Sequence, residues 1–427
     1  MSCAEQEETA PPGDRDRAQA RAARDAVSVA FIGLGFATAS WASRIPQVQA
    51  ALRVSPGVLG LILLCGAAGS AVAIPLAGIA IARLGEARVV TASALLTALG
   101  LGVAAGGYDF GVAPVAAGLF GLGFGTAAGD VAINVHGAAV EHRLGRSIMP
   151  RFHAGWSVGT VAGAGLGTLM IAWRVPVPVH LLAVALAVAV TLPAAARRFL
   201  PRSAPPASAG RTAGRRSSLA AWGERRTLMI GLFVLCVTVI EGVGNSWLGL
   251  GVIDGYHASA VLGSAALAVF LAAMTVGRWF GPPAIDACGR VPVLRAGVIV
   301  AGGGVLLLGF GRYIPAALAG AVLIGLGISL GYPVGMSAAA DDPRQAAGRV
   351  SVASSLGYAA FLAGPPLIGV IADRTGVLHA VTLAGVLLIA ALFLSRATAA
   401  LPQPAGQSAR TGRPPGPDRT RPARRTR

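Results

Sequence analysis

Twelve apolar runs of span length, separated by short polar stretches, constrain this chain more than any other feature. The first six fall at about 26–43, 57–82, 89–106, 111–140, 151–172 and 177–196. The second six fall at about 227–252, 258–281, 293–311, 314–338, 347–372 and 376–396. A hydrocarbon core about 30 Å thick requires about 20 apolar helical residues to cross it. No water is present there to satisfy an open backbone, so such runs form helices. Strands of a membrane barrel would be shorter and alternate polar with apolar, whereas these runs are continuous and rich in Ala, Gly, Leu and Val. Ordinary soluble domains carry about 25% charged residues; here 12% of 427 positions are charged. The 59 glycines fit as well, because small residues let membrane helices approach closely.

The runs divide the chain into five stretches. Residues 1–25 form a polar N-terminal tail without a short apolar core and cleavage site, so they are not read as a signal peptide. Residues 26–196 form one six-helix bundle, 197–226 an Arg-, Ser- and Pro-rich linker, and 227–396 a second bundle. Residues 397–427, with Pro and Arg throughout, are expected to be disordered.

The net charge of +17 raises nucleic-acid binding, but its distribution argues against it. All 35 basic residues are arginine, which reads as codon bias. With the termini placed in the cytoplasm, cytoplasmic loops and tails hold 29 arginines. The external loops then hold five, namely Arg44, Arg53, Arg174, Arg312 and Arg374, and Arg278 lies near the cytoplasmic end of span eight. Without the two tails the ratio is still 17 to five. The positive-inside rule therefore expects a multi-pass protein of the inner or plasma membrane with both termini cytoplasmic. Cys3, Cys65, Cys236 and Cys288 have no paired spacing and suggest neither a disulfide framework nor a metal site.

The two halves repeat each other. Val58-Leu59-Gly60 recurs as Val261-Leu262-Gly263, and Gly121-Leu122-Gly123 as Gly325-Leu326-Gly327. Ser157 and Gly159 recur as Ser355 and Gly357. Three matches at offsets of 203, 204 and 198 residues point to a duplicated six-helix unit, an architecture that builds alternating access around a central site.

On these features the chain resembles the major facilitator superfamily. Between spans two and three, Gly78, Arg83, Gly85 and Arg88 match that superfamily's signature gating loop, while Ala82 stands where the family usually has Asp. The counterpart after span eight keeps Asp286, Gly289 and Arg290, with Ala287 in the basic position. Gly369, Asp373, Arg374 and Gly376 repeat the spacing after span eleven. Within the superfamily the chain is most similar to the MosC-like branch. That likeness is carried by Trp41, Arg44 and Pro46, by Asp130 with Asn134, by the stretch from Arg146 to His153, and by Glu241-Gly242 with Trp247. It covers roughly residues 27–396 apart from the linker, and Asn245 stands where similar proteins are expected to have Asp. The resemblance implies an all-α membrane protein of twelve helices in two pseudo-symmetric bundles, acting as a monomer. It also implies transport of a sugar- or inositol-like solute.

Only two of the 18 acidic residues, Asp130 and Glu241, fall well inside apolar runs, one in each half. A carboxylate at the bilayer centre costs about 2.5–3.5 kcal/mol, which a water-lined cavity between helices offsets. Each acid is followed four residues later by an amide, Asn134 or Asn245, on the same helix face. Glu241 is the first candidate for carrying a proton. Asp130 either does so too or pairs with an arginine such as Arg151. His153, whose type titrates near neutral pH, is a proton-relay candidate or a packing group. Trp41 and Trp247 are platforms for a sugar ring or a cation, or else members of the interfacial aromatic belt. Arg44 meets a hydroxylated or anionic solute or is a solvated loop arginine. Tyr332-Pro333 is expected to bend span ten and free a backbone carbonyl. Neither a phosphate-binding loop nor a Ser-His-Asp arrangement is present, so no enzymatic activity and no cofactor are expected. The reading is a secondary active transporter of a small organic solute with protons as partners, a symporter or antiporter. A proton-driven drug or metabolite exporter and a non-transporting ligand sensor remain open.

Overall fold

The computed structural model describes residues 14–144, 148–200, 221–342 and 345–400. The expected C-terminal disorder beyond 400, the middle of the linker, and Arg146 and Ser147 lie outside the described residues. All twelve apolar runs are helices long enough to cross a membrane. In the first half these are α1 (Asp14–Leu52), α2 (Pro56–Leu84), α3 (Glu86–Gly107), α4 (Val112–Leu144), α5 (Met149–Ala172) and α6 (Val177–Ala196). In the second half α7 (Arg225–Tyr256), α8 (Ala260–Phe280), the short α9 (Pro282–Cys288) and α10 (Arg290–Phe310) come first. Span ten is split into α11 (Ile314–Ile328) and α12 (Gly331–Ala339). It is followed by α13 (Ala346–Thr375), and span twelve by α14 (Val377–Ala384) and α15 (Val386–Leu394). The first helix starts well before the apolar run, because Ala20 and Ala23 of the supposed tail are buried against the bundle.

The duplication holds at atomic detail with an offset of 204 residues. Ser55 caps α2 by accepting from the Val58 N–H, and Ser259 caps α8 by accepting from the Leu262 N–H, each at 3.4 Å. Arg53 and His257, just before these caps, both adopt positive φ, 53° and 50°. In each half the third and fourth spans touch where only glycine fits: a Cβ on Gly100 would collide with the Gly118 carbonyl, and one on Gly304 with the Gly320 carbonyl. A carbonyl at that distance leaves no room for a methyl group, so the sequence places glycine at both members of both crossings.

The start of α1, the end of α6, the start of α7 and the end of span twelve lie on one face, here the terminal side; the turn between α1 and α2 marks the distal side. The halves meet along two symmetry-related seams, α2 on α13 and α5 on α8, with α1 touching α7 between them. Among the described residues, every side-chain hydrogen bond that crosses between halves lies in the distal part. The Gly57 N–H donates to Asp373 Oδ1 at 3.0 Å, the Ser55 hydroxyl meets Asp373 Oδ2 at 3.3 Å, and Thr168 Oγ1 lies 2.9 Å from Ser264 Oγ. On the terminal side of the second half Asp341 joins Arg226 at 2.9 Å and Arg290 at 2.7 Å, and Glu224 meets Arg349 at 2.6 Å. Among the described residues these hydrogen bonds between the two halves clasp them distally.

Candidate functional site

Both intramembrane acids sit near the middle of their helices, and the structure treats them differently. Asp130 lies on α4, which packs chiefly on α1, α2 and α3 of its own half. The Asn134 amide, one turn on, donates to Asp130 Oδ1 at 3.0 Å and to the Asp130 carbonyl at 2.8 Å. Asn134 is therefore a holder of the carboxylate. Arg151, the expected cationic partner of Asp130, is exposed at the start of α5 and makes no ion pair with it.

Glu241 on α7 has a partner the sequence did not suggest. Arg278, in the last turn of α8, donates from its Nη2 to Glu241 Oε1 at 3.1 Å. What aims the guanidinium is a break in span ten. Pro333 has no N–H to offer the Ser329 carbonyl four residues back; the helix parts at Ser329-Leu330, and Arg278 Nε donates to that carbonyl at 3.3 Å. The expected bend at Tyr332-Pro333 is thus an interruption, and its freed carbonyl orients a charged side chain. Part of the signal was available, a proline four residues after a serine; the reach of Arg278 to Glu241 depends on which helices are neighbours.

Tyr332 on α12 is half-buried and Tyr358 on α13 is exposed, both in the half opposite Asp130. Asn245 is half-buried one turn distal to Glu241, and its amide makes no hydrogen bond in the structure. His153 on α5 is exposed, packs edge-on against Phe31 with 5.1 Å between ring centres, and feels the charge of Arg278 in the other half.

Three expected solute contacts are buried in the structure. Trp41 and Trp247 are 6% and 0% exposed, packed in the helix cores. Their large apolar surface fills the interior where small residues would leave voids. Arg44 is not a loop residue: α1 continues to Leu52 and buries it completely. Its guanidinium donates to His180 Nδ1 at 3.0 Å, Gln47 Oε1 at 2.6 Å and the Val175 carbonyl at 3.1 Å, tying α1 to α6 and the turn before it.

The gating-loop residues divide into corners and charges. Gly85 and Gly289 are the turns into α3 and α10, at φ 83° and 84°, a conformation that disfavours any side chain. Gly78 opens onto empty space and Arg83, Arg88 and Asp286 are exposed, while Arg290 is bound to Asp341 and to Ser337 Oγ at 3.1 Å. Among the described residues no group of three or more His, Cys, Asp and Glu could hold a metal ion.

No protein-family model matches the chain. An uncharacterized transporter of Sinorhizobium fredii is 30% identical over 354 residues, 81% of this chain and 90% of that protein. An uncharacterized MFS-type transporter of Yersinia pestis is 29% identical over 371 residues, covering 86% and 94%. The membrane protein MosC of Rhizobium meliloti is 28% identical over 387 residues, covering 89% and 92%. Among solved structures the nucleoside transporter NupG superposes with a TM-score of 0.71 at 15% identity, over 89% of this chain and 98% of that one. The Escherichia coli fucose:proton symporter FucP gives 0.61 at 17%, over 88% and 98%.

Proposed function

The chain belongs to the major facilitator superfamily, and from that membership we propose a proton-coupled carrier of a small hydroxylated solute that works by alternating access. The observation that carries this reading is Asp130: a mid-span carboxylate held by a neutral amide. A carboxylate with no fixed cation stands to gain most by binding a proton in an apolar surround. Glu241, already neutralised by Arg278, serves instead as a polar anchor. In this reading Asp130 carries the proton, and Asn245, Tyr332 and Tyr358 offer donors and acceptors to solute hydroxyls. Structural relatives named for nucleoside and for fucose:proton transport support the choice of a hydroxylated solute.

In this reading the terminal side is cytoplasmic, in an inner or plasma membrane, which the arginine asymmetry supports. The distally clasped state is then inward-open, and transport rocks bundle 26–196 against bundle 227–396 within one monomer. The test is uptake of labelled myo-inositol, a hexose and a nucleoside into proteoliposomes with an imposed proton gradient. Accumulation of one of them that collapses with the gradient supports the reading. Uptake indifferent to the gradient sinks the proton coupling, and binding without uptake identifies a sensor.

A further inference from the structure

We propose that Asp373 is the latch that sets this carrier's resting state, holding the distal side shut. The proposal rests on the alternating-access reading and adds which side is favoured and by which atoms. The full spacing Gly-x3-Asp-Arg-x-Gly occurs at the end of α13. The end of α2 has Ala in place of the Asp, and the stretch after α8 keeps the Asp but has Gly-x4 before it and Ala in place of the Arg. After α2 the position is Ala82, with no carboxylate. After α8 it is Asp286, exposed and bonded to no other described residue. After α13 it is Asp373, which reaches into the other half and takes the Gly57 N–H with one oxygen and the Ser55 hydroxyl with the other, 3.0 and 3.3 Å away.

The receiving site is the first turn of α2, where helix N–H groups lack partners inside the helix and the dipole favours an anion. Glycine makes the approach possible. A Cβ on Gly57 would meet the Asp373 carboxylate, one on Gly369 the Pro56 carbonyl, and one on Gly60 the Pro365 carbonyl. The contact exists only while the distal ends are together.

On the terminal side the symmetry-related docking points are disabled. A residue-82 carboxylate would face the start of α13, but Ala82 has none. Asp286 would face the start of α5, whose Ile148 and Met149 N–H groups already donate to Glu141 Oε2 of their own half at 2.6 and 2.7 Å. The distal side thus has a carboxylate latch across the halves, and that latch favours the distally closed form of the unliganded protein.

The experiment measures spin-label distances in nanodiscs on a background without the four cysteines. One label pair, at Asp109 and Arg312, reports the distal side; another, at Arg198 and Ala284, reports the terminal side. Asp373→Ala should raise the ratio of distally open to distally closed molecules about tenfold, the scale of losing a charge-assisted hydrogen-bond pair. The terminal pair should shorten in the same fraction. Ser55→Ala should shift both distances the same way by less, and it serves if Asp373→Ala fails to fold. Ala82→Asp should also favour the distally open form. If Asp373→Ala and Ser55→Ala leave the distances unchanged while solute or Ala82→Asp moves them, the latch is wrong and the carrier reading stands. If neither pair moves in any variant or with myo-inositol, a hexose or a nucleoside, the carrier reading itself fails.

Discussion

Asp130 and Glu241 enter the sequence as equals, each a mid-span acid with an amide four residues later, and the fold makes them opposites. Asp130 is held by its own helix through Asn134, while Glu241 is held across helices by Arg278 and its amide Asn245 stays unengaged. A neutral holder leaves a carboxylate free to change charge. A guanidinium holder instead gives Glu241 a charged partner on a neighbouring helix. Equivalent positions in a duplicated fold thus take different partners, a neutral amide in one half and a guanidinium in the other.

The substitution that would break this contrast most visibly is Asp130→Asn. Gradient-driven accumulation in proteoliposomes should fall by about 100-fold, the scale of losing a titrating group from its reaction, while solute exchange without a gradient persists. Thermal stability should change little, since an amide replaces an acid already bonded to an amide. Equal loss from Glu241→Gln, with exchange intact, would reverse the assignment.

Next in size are the ion-pair variants. Glu241→Gln or Arg278→Gln alone should each cost about 2 kcal/mol of stability by leaving a charge without its partner. The double variant should recover much of that in thermal unfolding. Additive losses would mean the pair is not the unit described here.

Pro333→Ala probes the feature that aims Arg278. It returns an N–H that competes for the Ser329 carbonyl, so the effect should be about 1 kcal/mol, read as a several-fold change in half-saturating solute concentration. No change would show that Arg278 needs no carbonyl to find Glu241.

The smallest effect belongs to a charge outside the spans. The Arg349 guanidinium bonded to Glu224 holds that carboxyl below the usual carboxylate range. Its contribution is complete above the unfolded pKa and is lost as pH falls through the folded one. Melting temperature should therefore drop on acidification, and Arg349→Gln should flatten that slope, by about 1 kcal/mol or less for so exposed a pair. An unchanged slope would show that Glu224 is not tied in solution.

The fold was legible because span length is a property of runs, and runs survive without an alignment. Side-chain partners were not, for a physical reason. In water a helix marks its buried face by polarity, but in a bilayer the lipid-facing and core-facing sides are equally apolar, so the period that would orient Trp41, Trp247 or Arg44 is missing. Arg44 is the sharpest case. It looked like a loop cation because apolarity falls after residue 43, yet α1 continues through Pro46 to Leu52. The acids and Pro333 were found because a charge or a proline in an apolar run stands out, whereas the pairing of Arg278 with Glu241 required knowing which helices are neighbours.

The single-residue corners have a consequence for how such a chain can change. Gly85 alone separates α2 from α3, and Gly376 alone separates α13 from α14, each at positive φ. A corner one residue long has no slack: an insertion rotates everything after it by about 100° around the helix axis and carries side chains to the wrong neighbour. Length variation, fusion tags and reporter insertions belong in the central linker and the tails, and these corners are where a one-residue frameshift of structure would do the most damage.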